Sequence, residues 1–369
     1  MLQRSRNPRF LLSGYYGFGN LGDEALLAVI VGELKKRYPG ARIDVLSADP
    51  ASTAHQFGIE ATPRAQIAEV QRAISRADVV LSGGGGLLQN ATSLRSLLYY
   101  AGILRTAIRA GRKTMIFGQS IGPLDFWGKR IVRKWCHGTS RATVRDGRSY
   151  ALLKPLLATT PIEKTADPVF LYDAPADDSD LSLQGLGPDS DPLVVVSVRK
   201  APNVTEAMQL IASCVDRLSE RHGARVGFLP LGGATDAEIS TSIIRKCRTR
   251  PTLLPSCDLG RAANIIKRAR VLIGMRLHSL ILAVHYGVPF LAVPYDPKVA
   301  ALCEDLAYPL PPLWAPGERT ALAAVEVDGL TDRLWLEREA LSKRLLGAAS
   351  ALHGLAARNF AVLDELVRE

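Results

Sequence analysis

The chain is poor in cysteine. Its 369 residues hold five, Cys136, Cys214, Cys247, Cys257 and Cys303, an odd and scattered set with no CxxC pair. That argues against a disulfide framework and a cysteine-based zinc site, and it fits a reducing cytoplasm. Long hydrophobic runs are missing too. No uncharged apolar stretch reaches the ~18 residues that a spanning helix needs. After Arg4, Arg6 and Arg9 the apolar run Phe10–Ser13 is too short for a signal peptide. Neither an HxxxH pair nor a carboxylate-rich metal set occurs, so no metal is expected. There is no Walker A loop, so P-loop chemistry is poorly supported.

What is present is a large apolar fraction, 47%, enough for a sizeable core and incompatible with intrinsic disorder. The length fits two domains better than one. The net charge is +10, which asks for an anionic partner. Its distribution is local. Between Arg95 and Arg148 twelve Lys and Arg face two acids, Asp125 and Asp146, which alone accounts for +10. Part of the excess lies in Phe126–Trp135, FWGKRIVRKW, where aromatic and basic residues interleave. As a helix this segment would suit an anionic membrane surface or form a plain solvated face. No nucleic-acid-binding motif accompanies it, so no nucleic-acid partner is expected.

Hydrophobic patterning alternates strand and helix. Strands are expected at Phe10–Gly14, Arg42–Ser47, Asp78–Ser82 and Lys113–Gly118, with shorter ones at Ala142–Arg145 and Glu163–Thr165. Helices are expected at Asp23–Tyr38, Ile67–Arg76 and Ser93–Ala110. From Asp173 to Pro192 turn-formers and acids replace the periodicity. The alternation then restarts with strands Leu193–Val198, Arg225–Pro230, Arg270–Gly274 and Pro289–Pro294, and with helices between them. A helical tail follows. The passage Ile74–Gly83 weakly repeats at Ile266–Met275. These features predict an α/β fold of two Rossmann-like domains facing across a cleft, with ligand at the strand C-termini. The expected boundaries are 1–176, a linker at 177–192, 193–330, and a tail at 331–369.

Glycine-rich loops follow the expected strands. Gly14-Tyr-Tyr-Gly17-Phe-Gly19-Asn20-Leu-Gly22-Asp23-Glu24 opens a helix, where backbone N–H groups can hold an anion or a sugar hydroxyl. Ser82-Gly-Gly84-Gly85-Gly-Leu-Leu-Gln89-Asn90 demands a close backbone approach to a ligand or to a neighbouring element. Gly118-Gln-Ser120-Ile-Gly-Pro123 occupies the same position after the next strand. Arg145 and Arg199 each stand at the end of an apolar strand. The sharpest cluster is Gly274-Met-Arg276-Leu277-His278-Ser279, followed by Pro294-Tyr295-Asp296-Pro-Lys298. A fixed cation, a titratable imidazole and a helix N-terminus suit an anion that exchanges protons.

Taken in order, these motifs, with Ala166-Asp-Pro-Val-Phe170 and Ser197-Val-Arg199, resemble the polysaccharide pyruvyltransferase family, most closely its CsaB type. The resemblance runs from about residue 14 to 300. It implies a glycosyltransferase-B-like fold and transfer of the carboxyethylidene group of phosphoenolpyruvate to a sugar. It implies an undecaprenyl-diphosphate-linked saccharide acceptor containing N-acetylmannosamine, and a cyclic 4,6-ketal that anchors surface-layer proteins to the wall. It carries donor-binding roles onto Arg145, Arg276 with its neighbour Leu277, and Lys298, and an acid or proton-shuttle role onto His278. Arg199 is a weaker donor-side candidate. Asn20, Asp23, Glu24, Gly84, Gly85 and Gln89 are the acceptor-side candidates, with Asp23 or Glu24 orienting or deprotonating hydroxyls. Phosphoenolpyruvate is a substrate, so no cofactor is implied. The expected location is the cytoplasm, against the inner face of the membrane. Asn90 stands where the family pattern has an acid, and Ser120 where it has glycine. The competing expectation is a nucleotide-sugar-dependent glycosyltransferase of the same fold.

Overall fold

A computed structural model describes residues 7–175, 191–201, 204–314 and 324–369. The chain divides into two compact units, Met1–Tyr172 with Leu352–Glu369, and Asp173–Ala351.

The first unit alternates β1 (Arg9–Tyr16), α1 (Leu21–Arg37), β2 (Arg42–Ser47), α2 (Pro50–Phe57), β3 (Glu60–Pro63), α3 (Ile67–Arg76), β4 (Val79–Gly83), α4 (Leu94–Arg109), β5 (Lys113–Gln119), α5 (Phe126–Trp135), β6 (Arg141–Val144), α6 (Gly147–Leu153) and β7 (Ile162–Lys164). All its strand pairs are parallel, in the order β3-β2-β1-β4-β5-β6-β7. β4 reads Val-Val-Leu-Ser-Gly and is buried at every position, as a strand covered on both faces must be.

The second unit runs β8 (Leu193–Ser197), α7 (Val204–His222), β9 (Arg225–Phe228), α8 (Ala234–Ile244), β10 (Thr252–Leu253), α9 (Leu259–Arg268), β11 (Val271–Gly274), α10 (Leu277–His285), β12 (Phe290–Ala292), α11 (Pro297–Asp305) and α12 (Ala324–Leu336). Its five parallel strands are ordered β10-β9-β8-β11-β12.

In each sheet the strand order reverses once, between β1 and β4 in the first unit and between β8 and β11 in the second. Ligands of doubly wound sheets bind beyond the strand C-termini at such a reversal. The glycine loops after β1 and β4 sit at the first reversal. Arg199 and the Arg276–His278 segment sit at the second.

The last helix, α13 (Arg338–Arg368), is shared between the two units. Leu341 is buried in the second unit's core. Phe360, Leu363 and Leu366 are buried in the first unit's core, where Phe360 meets Phe117 edge-on at 4.9 Å. Asp364 accepts hydrogen bonds from Arg37 at 2.8 Å and from the Tyr38 hydroxyl at 2.6 Å. The tail is therefore core-forming material rather than an appendage. The expected linker at 177–192 lies almost wholly outside the described residues. Sequence periodicity did not reveal α2 and β3. α2 buries only Thr53, and its boundaries come instead from the Asp49 cap, Pro50 and left-handed Gly58.

Candidate active site

In the second unit, β11 ends at Gly274 and α10 begins at Leu277, so Arg276 takes the helix N-cap position. A side chain at Gly274 would run into Leu280 at 2.6 Å, so the turn closes tightly over the helix. Arg276 donates to Asp236 from Nε and from Nη2, both at 2.6 Å. Asp236 lies in the first turn of α8 and is only 1% exposed. It follows the Gly232-Gly233 turn, and any side chain at Gly232 would collide with the Arg276 guanidinium. Two charge-assisted bonds in a fork fix the guanidinium plane.

Leu277 and His278 form the first turn of α10 and are partly buried. Arg199 donates to the Tyr295 hydroxyl at 2.8 Å, and its guanidinium sits 4.7 Å from that ring. Burial pushes the Tyr295 phenol above its usual pKa, and Arg199 beside it works the other way. Lys298 lies in the first turn of α11, whose N-cap Asp296 accepts from its backbone N–H at 3.0 Å and pairs with its ammonium at 3.4 Å. Arg199, Arg276, His278 and Lys298 thus all stand just beyond strand ends of one five-stranded sheet. Asp236 and the Tyr295 contact went unforeseen. The only signal for Asp236 was its place after a strand and a Gly-Gly turn, the pattern shared by the loops that were singled out.

Arg145 belongs to the first unit and is not assembled with that group within one unit. Its guanidinium forms a buried ion pair with Asp167, and its Nε donates to Ser120 Oγ at 2.7 Å. Ser120 in turn donates to Asp146 at 2.7 Å, and Asp146 caps α6 through Ser149 N–H at 2.7 Å. Ser120, where the family pattern has glycine, therefore links Arg145 to a second carboxylate.

On the acceptor side, Asn20 occupies the N-cap position of α1, and its amide donates to the Asp23 carboxylate rather than capping the helix. Asp23 is buried, and a side chain at Gly85 would come within 2.9 Å of it. Gly85 has φ +69°, so it supplies both the left-handed turn and room for the carboxylate. Asn20, Asp23 and Gly85 are thus brought together. Gly84 packs against Leu26 and serves close packing with the helix. The Glu24 carboxylate accepts from Gly17 N–H at 2.9 Å, closing the loop on itself. Burial raises its pKa, and the Gly17 bond opposes that rise. Gln89 donates to the Thr92 hydroxyl at 2.6 Å. Asn90 accepts from Asp125 N–H at 3.1 Å and so ties its loop to the start of α5. Sequence reading did not single out Arg64, which lies 4.9 Å from the Phe18 ring and 4.5 Å from Tyr99, beside the exposed Tyr15–Phe18 stack.

A cavity of about 660 Å³ in the second unit is lined by Leu193, Arg225, Arg270 and Trp335 among others. It opens at the strand N-termini, the edge opposite these loops, so volume and chemistry do not coincide. Among the described residues no cluster of three or more His, Cys, Asp or Glu is placed to hold a metal. No helix among them is long and apolar enough to cross a membrane.

The family model for polysaccharide pyruvyl transferase matches residues 20–297. The chain belongs to that family. This polysaccharide pyruvyl transferase is also similar in fold to solved structures of low identity. A UDP-GlcNAc 2-epimerase from Neisseria meningitidis bound to UDP-GlcNAc is 11% identical, with TM-score 0.65, over 98% of this chain and 100% of that one. Anabaena HepE in complex with UDP is 14% identical, with TM-score 0.64, over 98% and 100%. Phytolacca americana UGT2 complexed with UDP-2fluoro-glucose and pterostilbene is 11% identical, with TM-score 0.63, over 98% and 100%. No curated protein sequence matches significantly. The transferase therefore has the two-domain, Rossmann-like glycosyltransferase-B fold, as its motifs implied.

Proposed function

We propose that this transferase takes its pyruvyl group from phosphoenolpyruvate and closes it as a 4,6-ketal on a sugar, with N-acetylmannosamine of a lipid-linked wall saccharide as acceptor. The observation that carries the reading is the Asp236-gripped Arg276 at the start of α10, two residues before His278. A rigid fork and a helix N-terminus suit a small, dense anion.

In this reading Arg276 and Lys298 bind the carboxylate and phosphate, Arg199 assists, and Leu277 lines the site. Arg145 joins them by family resemblance, held ready by Asp167 and Ser120. A proton is delivered to the donor methylene, with His278 as the acid. One sugar hydroxyl bonds to C2, and the C2–O bond to phosphate breaks. The second hydroxyl then attacks C2 to close the ring. Of the two hydroxyl protons, one replaces that given to the methyl group and the other leaves with phosphate. Asp23 orients the acceptor hydroxyls or accepts a proton from them, with Asn20 donating to its carboxylate and Gly85 leaving room for it. Glu24 and Gln89 shape the loops of that side. The reaction would take place in the cytoplasm, at the inner membrane face.

Nucleotide-sugar transfer is the rival chemistry, because relatives of this fold bind UDP or UDP-sugars. Thermal shift separates the two. Stabilisation by phosphoenolpyruvate supports the proposal; stabilisation by a UDP-sugar alone overturns it.

A further inference from the structure

α5 carries more exposed aromatic surface than its packing explains. Phe126 is 70% exposed and Trp127 is 62% exposed, although they touch each other edge-on at 5.4 Å. Lys129, Arg130, Arg133 and Lys134 are exposed as well, while Gly128 and Val132 are buried. Phe126, Lys129, Arg130, Arg133 and Lys134 fall at i, i+3, i+4, i+7 and i+8, which is one helix face. Asp125 is the N-cap, and the first turn of α5 holds no acid.

The helix also has a defined place. In a parallel sheet each connecting helix runs back against its strands, so every helix N-terminus lies at the strands' C-terminal edge. α5 packs beside α4, whose first residue, Leu94, is a further apolar side chain at 47% exposure. Leu94, Phe126 and Trp127 therefore project at the same edge as the glycine loops and Asp23. Asn90 ties one of those loops directly to the start of α5.

We infer that this face of α5 docks on an anionic lipid bilayer. Phe126, Trp127 and Leu94 enter the headgroup boundary, and the four cations pair with lipid phosphates. Charge complementarity and the aromatic end favour a bilayer over nucleic acid. The inference extends the proposed lipid-linked acceptor, since docking here brings the acceptor-side loops to the membrane surface. Vesicle binding is read without donor or acceptor, so its failure leaves the pyruvyl-transfer reading standing.

The test is co-sedimentation of the full chain with vesicles of phosphatidylglycerol and phosphatidylcholine, against phosphatidylcholine alone. The expected result is binding to the anionic vesicles only, weakened by raised salt. Replacing Lys129, Arg130, Arg133 and Lys134 together by Glu should cut binding by roughly a hundredfold or more. Phe126→Ala with Trp127→Ala should weaken it about tenfold or more. All these side chains are exposed, so unfolding temperature and turnover with a water-soluble acceptor should stay at wild-type level. A loss of unfolding temperature in the quadruple variant would shift the decision to the aromatic pair. Equal binding to neutral vesicles overturns the inference, as does unchanged binding of both variants. Retention of this segment on nucleic acid with no affinity for vesicles overturns it in favour of a nucleic-acid partner.

Discussion

Arg276 donates two hydrogen bonds of 2.6 Å to Asp236, one to each carboxylate oxygen. The acid is buried in the first turn of a neighbouring helix. In the proposed reaction its part is to hold the arginine. Asp236→Asn keeps the shape and removes the charge-assisted fork. Such bonds contribute about 1.5–3 kcal/mol, so kcat/KM for phosphoenolpyruvate should fall roughly ten- to a hundredfold. The loss should appear mainly in KM. A variant of wild-type KM would show that the pair serves stability alone.

Ser120→Ala tests the bridge between Arg145 and Asp146. It leaves Arg145 Nε and one Asp146 oxygen without the hydroxyl that joins them. Denaturant unfolding should show a loss of about 1–2 kcal/mol. An unchanged midpoint would mean that these groups find other partners at no cost.

Glu24 supplies a pH test. Burial holds its pKa above 4.5 in the folded chain, so the folded state keeps its proton to higher pH than the unfolded one. Stability from this group therefore falls as pH rises from about the unfolded value towards the raised one. Glu24→Gln keeps an acceptor for Gly17 N–H and removes the titration. Its stability should gain on wild type across that window and stay ahead at neutral pH. Parallel pH profiles of unfolding would contradict the assignment.

The comparison with sequence reading divides along physical lines. Buried parallel strands such as Val79–Gly83 and Leu193–Ser197 were legible because both faces are covered and the whole run is apolar. The loops after them were legible because glycines cluster where left-handed backbone or close approach is needed, as at Gly85. α2 and β3 were not legible, because they bury almost nothing. The partners of the cations were not legible either. Asp236 is 40 residues from Arg276, and Asp167 is 22 from Arg145. Nothing local in the sequence marks such pairs. The division of the C-terminal tail between two cores is likewise a tertiary fact, visible only once Phe360 is seen against Phe117.

His278→Ala should abolish turnover, while circular dichroism and unfolding temperature stay near wild type, since the side chain is at a helix start and only partly buried. Phosphoenolpyruvate should still raise the unfolding temperature of this variant, because Arg276 and Lys298 remain. Near-wild-type turnover would remove the acid role from His278.

The central claim is donor identity. The purified chain is incubated with phosphoenolpyruvate and a lipid-linked saccharide, and the product mass and released phosphate are read together. The account predicts an acceptor heavier by one pyruvic acid less one water, with one phosphate released per product. An acceptor unchanged by phosphoenolpyruvate, but extended by a sugar when a UDP-sugar is supplied instead, would contradict it.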